Sequence, residues 1–212
     1  MADDISLHGY FRSTASYRVR IALNLKGIPY RDVSYNLRDG DHRRPDYLAL
    51  NPQGLVPALG IDHALLTQSL AICEYLEETR PDPALLPQEP LMRAKVRAFA
   101  QVIACDIHPV QNLKILNRLR HMGIAEDAVT AWAAETIREG LESCARLVAD
   151  RSGPYCFGDS VTLADLCLVP QLVNARRFGV DLVWPRLAEV ERNCVALDAF
   201  ARAAPENQSD SH

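Results

Sequence analysis

The sequence predicts a small α/β domain followed by an all-helical one, and three observations carry the prediction. Up to about residue 80, short stretches of strand-like and helix-like apolar period alternate. Four of the thirteen prolines, Pro81, Pro83, Pro87 and Pro90, then crowd into one short stretch. Beyond them apolar residues recur at three- and four-residue steps almost to the end. The boundaries read as 1–84 for the α/β domain, 85–90 for a proline-rich linker and 91–212 for the helical domain.

Ile5, Leu7 and Gly9 alternate as in a strand, while Val19, Ala22, Leu23 and Lys26 follow a helical spacing until Gly27 and Pro29 stop it. Ser13 and Thr14 stand just before that helix. Its first turn exposes unpaired N–H groups, so the hydroxyls act either as a plain N-cap or as an anion site for phosphate, carboxylate or thiolate. Tyr30 to Val33 reads as extended. The polar run Arg38, Asp39, Gly40, Asp41, His42, Arg43, Arg44 reads either as disordered or as a ligand lid. Val56–Ile61 and Ala64–Thr67 flank Asp62-His63, the pattern of a tight hairpin. Ser69 opens a helix with Ile72, Tyr75 and Leu76 on one face.

The second half predicts helices over Leu91 to Arg120, Ala125 to Asp150, Leu163 to Phe178 and Leu187 to Ala203. Pro109 falls inside the first of these and predicts a kink there. Thr162-Leu163-Ala164-Asp165 fits a capping box, a structural device that needs no ligand. The polar end, Glu206 to His212, predicts fraying.

Composition narrows the function classes. The chain has 212 residues, 48% hydrophobic and 24% charged, which suits a globular protein with one or two cores. A net charge of -4 argues against a general nucleic-acid binder. No apolar run approaches the roughly 18 residues of a membrane span. Met1-Ala2-Asp3-Asp4 has no basic, apolar pattern of a secretory leader. Six widely spaced cysteines, with no C-x-x-C pair, suggest neither zinc nor disulfides and predict buried thiols in a cytoplasmic protein.

Several stretches together resemble the zeta class of glutathione transferases, which includes the maleylacetoacetate and maleylpyruvate isomerases. They are Tyr10-Phe11-Arg12-Ser13 with Arg18-Val19-Arg20-Ile21-Ala22-Leu23, Asn51-Pro52 with Val56-Pro57, Gln68-Ser69-Leu70-Ala71-Ile72, Glu74-Tyr75-Leu76-Glu77-Glu78, and Leu163-Ala164-Asp165-Leu166-Cys167-Leu168-Val169-Pro170-Gln171. The resemblance runs nearly the length of the chain, in order. It implies a thioredoxin-like first domain, an all-helical second domain, glutathione as cofactor and a homodimer. The implied reaction is cis–trans isomerisation of a maleyl keto acid to its fumaryl isomer, in aromatic or tyrosine catabolism.

The resemblance also implies roles for residues. Ser13 hydrogen-bonds the glutathione thiolate, and a cis Pro57 turns the backbone of Val56 toward the cysteinyl part. Gln68 and Ser69 hold the γ-glutamyl carboxylate, His42 and Gln53 join the cofactor contacts, and Asp106 reaches the γ-glutamyl amine of the partner chain. Thr14 stands where many zeta proteins have a second Ser and keeps a donor. Ala15 stands where they have a Cys, so activities that need that thiol are not expected.

Arg12, His108, Arg176 and Arg177 are the substrate candidates. A guanidinium fork suits a planar carboxylate, of which a maleyl substrate carries two. Arg176 and Arg177 lie about 100° apart on one helix, so both do not face one pocket equally. His108 is either a structural side chain or a substrate contact beside the kink. It resembles the bacterial maleylpyruvate isomerases at this position. A general transferase conjugating small electrophiles and a non-enzymatic scaffold or regulator are the alternative readings.

Overall fold

The computed structural model describes residues 5–211. Met1 to Asp4, on which the reading of a missing leader rests, and His212 lie outside the described residues. In chain order the elements are β1 (Ser6–Gly9), α1 (Thr14–Leu25), β2 (Arg31–Ser34), α2 (Pro45–Leu50), β3 (Ala58–Ile61), β4 (Ala64–Thr67), α3 (Ser69–Thr79), α4 (Pro90–Gln101), α5 (Leu113–His121), α6 (Glu126–Leu147), α7 (Leu163–Arg177), α8 (Pro185–Val195) and α9 (Asp198–Ala203). Chain contacts divide them into two compact units. The first runs to Ala84 and takes in the segment from Ala196 onward; the second is Leu85–Val195.

The first unit is built on a four-stranded sheet in the order β2-β1-β3-β4. β1 runs parallel to β2 and antiparallel to β3, and β3 and β4 form the expected hairpin. Asp62 and His63 both sit at positive φ, 50° and 61°, as a two-residue type I′ turn requires. Asp62 is held there by α3, whose Tyr75 hydroxyl and Arg80 guanidinium both donate to its carboxylate. Leu7 and Leu59 pair across the strands with no exposure. α1 is buried over every residue from Thr14 to Leu23, the pattern of a central helix rather than an amphipathic surface one. It stops at Lys26, whose buried ammonium donates to Glu77, to Arg80 O and to Pro83 O, so one side chain ties the ends of α1 and α3 together.

The tail differs from expectation. It is ordered, and the contact grouping places it with the first unit rather than with residues 91–195. The reason is a polar stripe on α1. Tyr17, Arg20 and Asn24, at helical i, i+3, i+7 spacing, donate to the carbonyls of Phe200, Ala203 and Ala199. Asp210 then accepts the N–H of Phe11 at 3.1 Å, so the segment past Glu206 is hydrogen-bonded and not frayed.

In the second unit α7 is central, buried from Leu163 to Leu172 and packed against α4 and α8. The single helix expected over Leu91 to Arg120 is instead two. α4 ends at Gln101, a π-helical turn spans Val102–Ile107, and the chain turns through Pro109 before Asn112 caps α5 by accepting from Lys114 N–H. Pro109 has no N–H to continue either helical register, so the extra residue of the π turn is absorbed just before it. Gly140 of α6 makes room for that turn, since a Cβ there would run into Ile107. Leu187 to Ala203 is likewise interrupted, with α8 and α9 falling in different units.

The capping box forms as read. Asp165, wholly buried, accepts from Thr162 N at 2.7 Å, from the Thr162 hydroxyl at 2.9 Å and, through its other oxygen, from Cys156 N at 2.8 Å. Burial pushes its carboxyl up, and those donors pull it back. Of the six cysteines five are buried, while Cys105 on the π turn is exposed. No helix among the described residues is long and apolar enough to cross a membrane.

Candidate active site

Register gathers the candidates of the first unit. His8 pairs with Ala58, and Ala58 pairs with Thr67. The chain leaving β1 toward Ser13, the chain entering β3 through Val56-Pro57 and the chain leaving β4 into Gln68-Ser69 therefore meet at one end of the sheet. Each brings an unfilled polar group. Ser13 caps α1 by accepting the Ser16 N–H at 3.1 Å, so its oxygen is held while its hydroxyl hydrogen is left to donate. The cap and anion-site readings of Ser13 are compatible for this reason. Thr14 follows, buried, as the first residue of α1.

The Val56-Pro57 bond is cis, and no backbone hydrogen bond among the described residues uses Val56 N–H or C=O. α3 begins without a side-chain cap: Gln68 precedes it at φ 70° and turns its amide to Gln53 at 2.9 Å. Helix first-turn N–H groups without a cap attract a carboxylate. Ser69 is buried beneath that end.

The segment read as either disordered or a lid is a compact turn. Asp41 accepts Asn36 N–H at 2.8 Å and pairs with Arg44 at 2.9 Å, and Asp41–Arg43 is a short 3-10 turn. It lies against the 51–57 loop, where Gly54, at φ 59°, leaves only enough room for His42 O. His42 Nδ1 is buried without a partner, and burial, with Arg43 nearby, lowers its pKa. His42, Gln53, Val56 and Gln68 are thus neighbours in one unit. Two residues absent from the expected set hold that loop in shape: the Tyr47 hydroxyl and Asn51 Nδ2 both donate to Leu55 O, at 2.6 and 2.7 Å. The Asn51-Pro52 turn signal was available to find one of them.

The second unit holds the other candidates. His108 follows the π turn, half-buried, with Nε2 3.2 Å from Asn112 Nδ2. Gln111, buried, accepts from Asn174 Nδ2 at 3.0 Å, joining the turn that carries His108 to the stretch of α7 that carries Arg177. Neither Gln111 nor Asn174 was singled out from sequence, because a polar residue on a helical stripe gives no sign of its partner. Arg176 is taken up by Glu191 of α8, to which it donates twice, and Glu191 raises its pKa. Arg177 is half-buried, as is Arg12 in the first unit, and Asp106 is exposed on the π turn.

The residues at this end of the sheet offer one hydroxyl donor, one backbone pair with no backbone partner and one uncapped helix start, which together suit an anionic ligand with a peptide-like part. Comparison with known proteins agrees. Residues 12–79 match the glutathione S-transferase N-terminal domain family, and residues 116–192 match its C-terminal domain family. A maleylacetoacetate isomerase of Pseudomonas aeruginosa is 51% identical over 98% of this chain and 99% of its own. A holo structure of maleylpyruvate isomerase, described as a bacterial zeta-class glutathione S-transferase, superposes with a TM-score of 0.95 at 47% identity, covering 98% of this chain and 100% of that one. The chain belongs to the zeta class of glutathione transferases. The solved structure of a maleylacetoacetate isomerase of Methylobacterium extorquens AM1 holds glutathione and malonate; it has a TM-score of 0.94 at 42% identity, covering 98% of this chain and 99% of that one.

Proposed function

We propose that the protein is a glutathione-dependent cis–trans isomerase that converts maleylacetoacetate or maleylpyruvate to its fumaryl isomer in aromatic catabolism. The observation that carries the reading is the convergence of Ser13, Val56 and the uncapped start of α3 at one end of the sheet, in a chain full-length similar to such isomerases. Glutathione, when bound, supplies a sulfur nucleophile for reversible addition across the cis double bond. Ser13 donates its hydroxyl hydrogen to that sulfur, and the N-terminal field of α1 adds to the same effect, so both favour the ionised form. Thr14 offers a second donor. Val56 N–H and C=O pair with the cysteinyl unit, Gln68 and Ser69 take the γ-glutamyl carboxylate, and His42 and Gln53 complete the contacts.

Arg177 and Arg12 hold the substrate carboxylates, with His108 as a further contact; Arg176 is left out because Glu191 occupies it. The working protein is a cytoplasmic homodimer in which the exposed Asp106 meets the glutathione amine of the other copy. Sedimentation showing a fully active monomer at micromolar concentration contradicts the dimer.

The test is absorbance-followed isomerisation of both keto acids with and without glutathione, on the parent protein and Ser13→Ala. Turnover is expected only with glutathione. Ser13→Ala is expected to fold normally and lose about tenfold or more in rate, since a hydrogen bond to a charged acceptor contributes roughly 1.5–3 kcal/mol. Thioether formation from halogenated acids with no isomerisation favours a general conjugating transferase, and no glutathione binding at all favours a scaffold. Unchanged rate in Ser13→Ala removes the hydroxyl from the mechanism.

A further inference from the structure

Two arginines two residues apart on α1 point to different sides of the helix, and the fold treats them differently. Arg20 donates through Nε to Ala203 O at 2.9 Å and through Nη2 to Phe11 O at 3.0 Å. Arg18 is 1% exposed, and its one hydrogen bond runs from Nη1 to Ser69 Oγ at 3.3 Å. Its Nε and Nη2 are buried with no partner, and no ion pair among the described residues includes it. Among the described residues the guanidinium thus has one neutral oxygen for a partner, and two of its three nitrogens have no acceptor.

The place where Arg18 is held explains the arrangement. Ser69 is the first residue of α3, an eleven-residue helix whose N-terminus has no side-chain cap. A serine oxygen that accepts from Arg18 cannot direct its own hydrogen back at the guanidinium, so that hydrogen points away. Helix end, oriented hydroxyl and unpaired cation thus act on the same spot, and the charge they lack is negative.

We propose that Arg18 is a positioning residue for the carboxylate subsite at the start of α3: it fixes the Ser69 hydroxyl as a donor and supplies the buried positive charge that the glutamyl carboxylate of glutathione neutralises. The inference rests on the glutathione reading above. It follows that Arg18 destabilises the free protein and stabilises the liganded one, a pair of opposite signs that a packing role does not produce.

The experiment compares parent, Arg18→Met, Arg18→Lys, Ser69→Ala and the double variant Arg18→Met/Ser69→Ala by thermal denaturation with and without millimolar glutathione, and by steady-state kinetics. Binding to the folded state alone raises the melting temperature in proportion to RT ln(1 + [L]/Kd), so the ligand-induced shift reads affinity directly. Arg18→Met is expected to melt no lower than the parent without ligand, to lose most of the glutathione-induced shift, and to raise KM for glutathione about tenfold with kcat at saturation nearly unchanged. A tenfold change corresponds to about 1.4 kcal/mol. Arg18→Lys is expected to recover part of the shift, and the double variant to bind little worse than either single one, because one residue acts through the other.

If the parent shows no shift with glutathione, the glutathione reading itself fails. If the parent shifts and Arg18→Met shifts equally, or if Arg18→Met simply melts lower with its shift intact, Arg18 is a packing residue and the proposal is overturned. Additive losses in the double variant overturn the route through Ser69. Should Arg18→Met not fold, Arg18→Lys decides: weaker glutathione binding at unchanged kcat supports the proposal, and an unchanged KM refutes it.

Discussion

Arg177→Ala is expected to slow isomerisation about a hundredfold while leaving glutathione affinity nearly unchanged. The guanidinium is assigned to a substrate carboxylate, so its loss removes roughly 2–4 kcal/mol from the transition state and nothing from the cofactor contacts assigned to Ser13, Val56, Gln68 and Ser69. Arg176→Ala is the internal control, and the structure sharpens what it should do. Arg176 clamps α7 to Glu191 of α8, whose carboxylate is largely buried, so its removal is expected to lower stability and spare the rate. Kinetics at saturating glutathione, with thermal melts on both variants, separates the two arginines. A crippled Arg176→Ala with a healthy Arg177→Ala reverses the assignment, and parental rates in both remove α7 from the substrate site.

Asp165→Ala is expected to cost roughly 3 kcal/mol or more of folding stability, a large share of the 5–15 kcal/mol that holds a domain together. Three donors converge on the carboxylate, and alanine leaves the buried N–H groups of Thr162 and Cys156 without acceptors. Asp165→Asn keeps one acceptor oxygen and should lose less. Urea unfolding measures both, and a loss under about 1 kcal/mol for the alanine variant means that water replaces the lost acceptor.

The elements that were legible in the sequence carry their instructions within a few residues. Ser13 before a run of helical period, Asp62-His63 between two apolar stretches, Thr162 three residues before Asp165, and Gly27 after Lys26 each specify local backbone geometry through their own hydrogen bonds or φ preference. Pro109 announced an interruption, but its form, a π turn followed by a new helix, depends on the space left by Gly140 against Ile107. Apolar period alone runs straight through such a break, since it records which face is buried and not where the hydrogen-bond register slips.

The sequence by itself determined the α/β-then-helical division, the hairpin, the caps before α1 and α7 and, through long-range resemblance, the expected chemistry of Ser13. Only the tertiary structure decided which polar side chains find partners. It gave Arg20 to Ala203 O of the tail and to Phe11 O, Arg176 to Glu191 and Gln111 to Asn174, and it left Arg18 with Ser69 alone. The physical reason is range. A cap or turn is satisfied by atoms a few residues away and is written in composition and spacing, whereas a buried cation is satisfied by whatever the packing of distant segments places beside it.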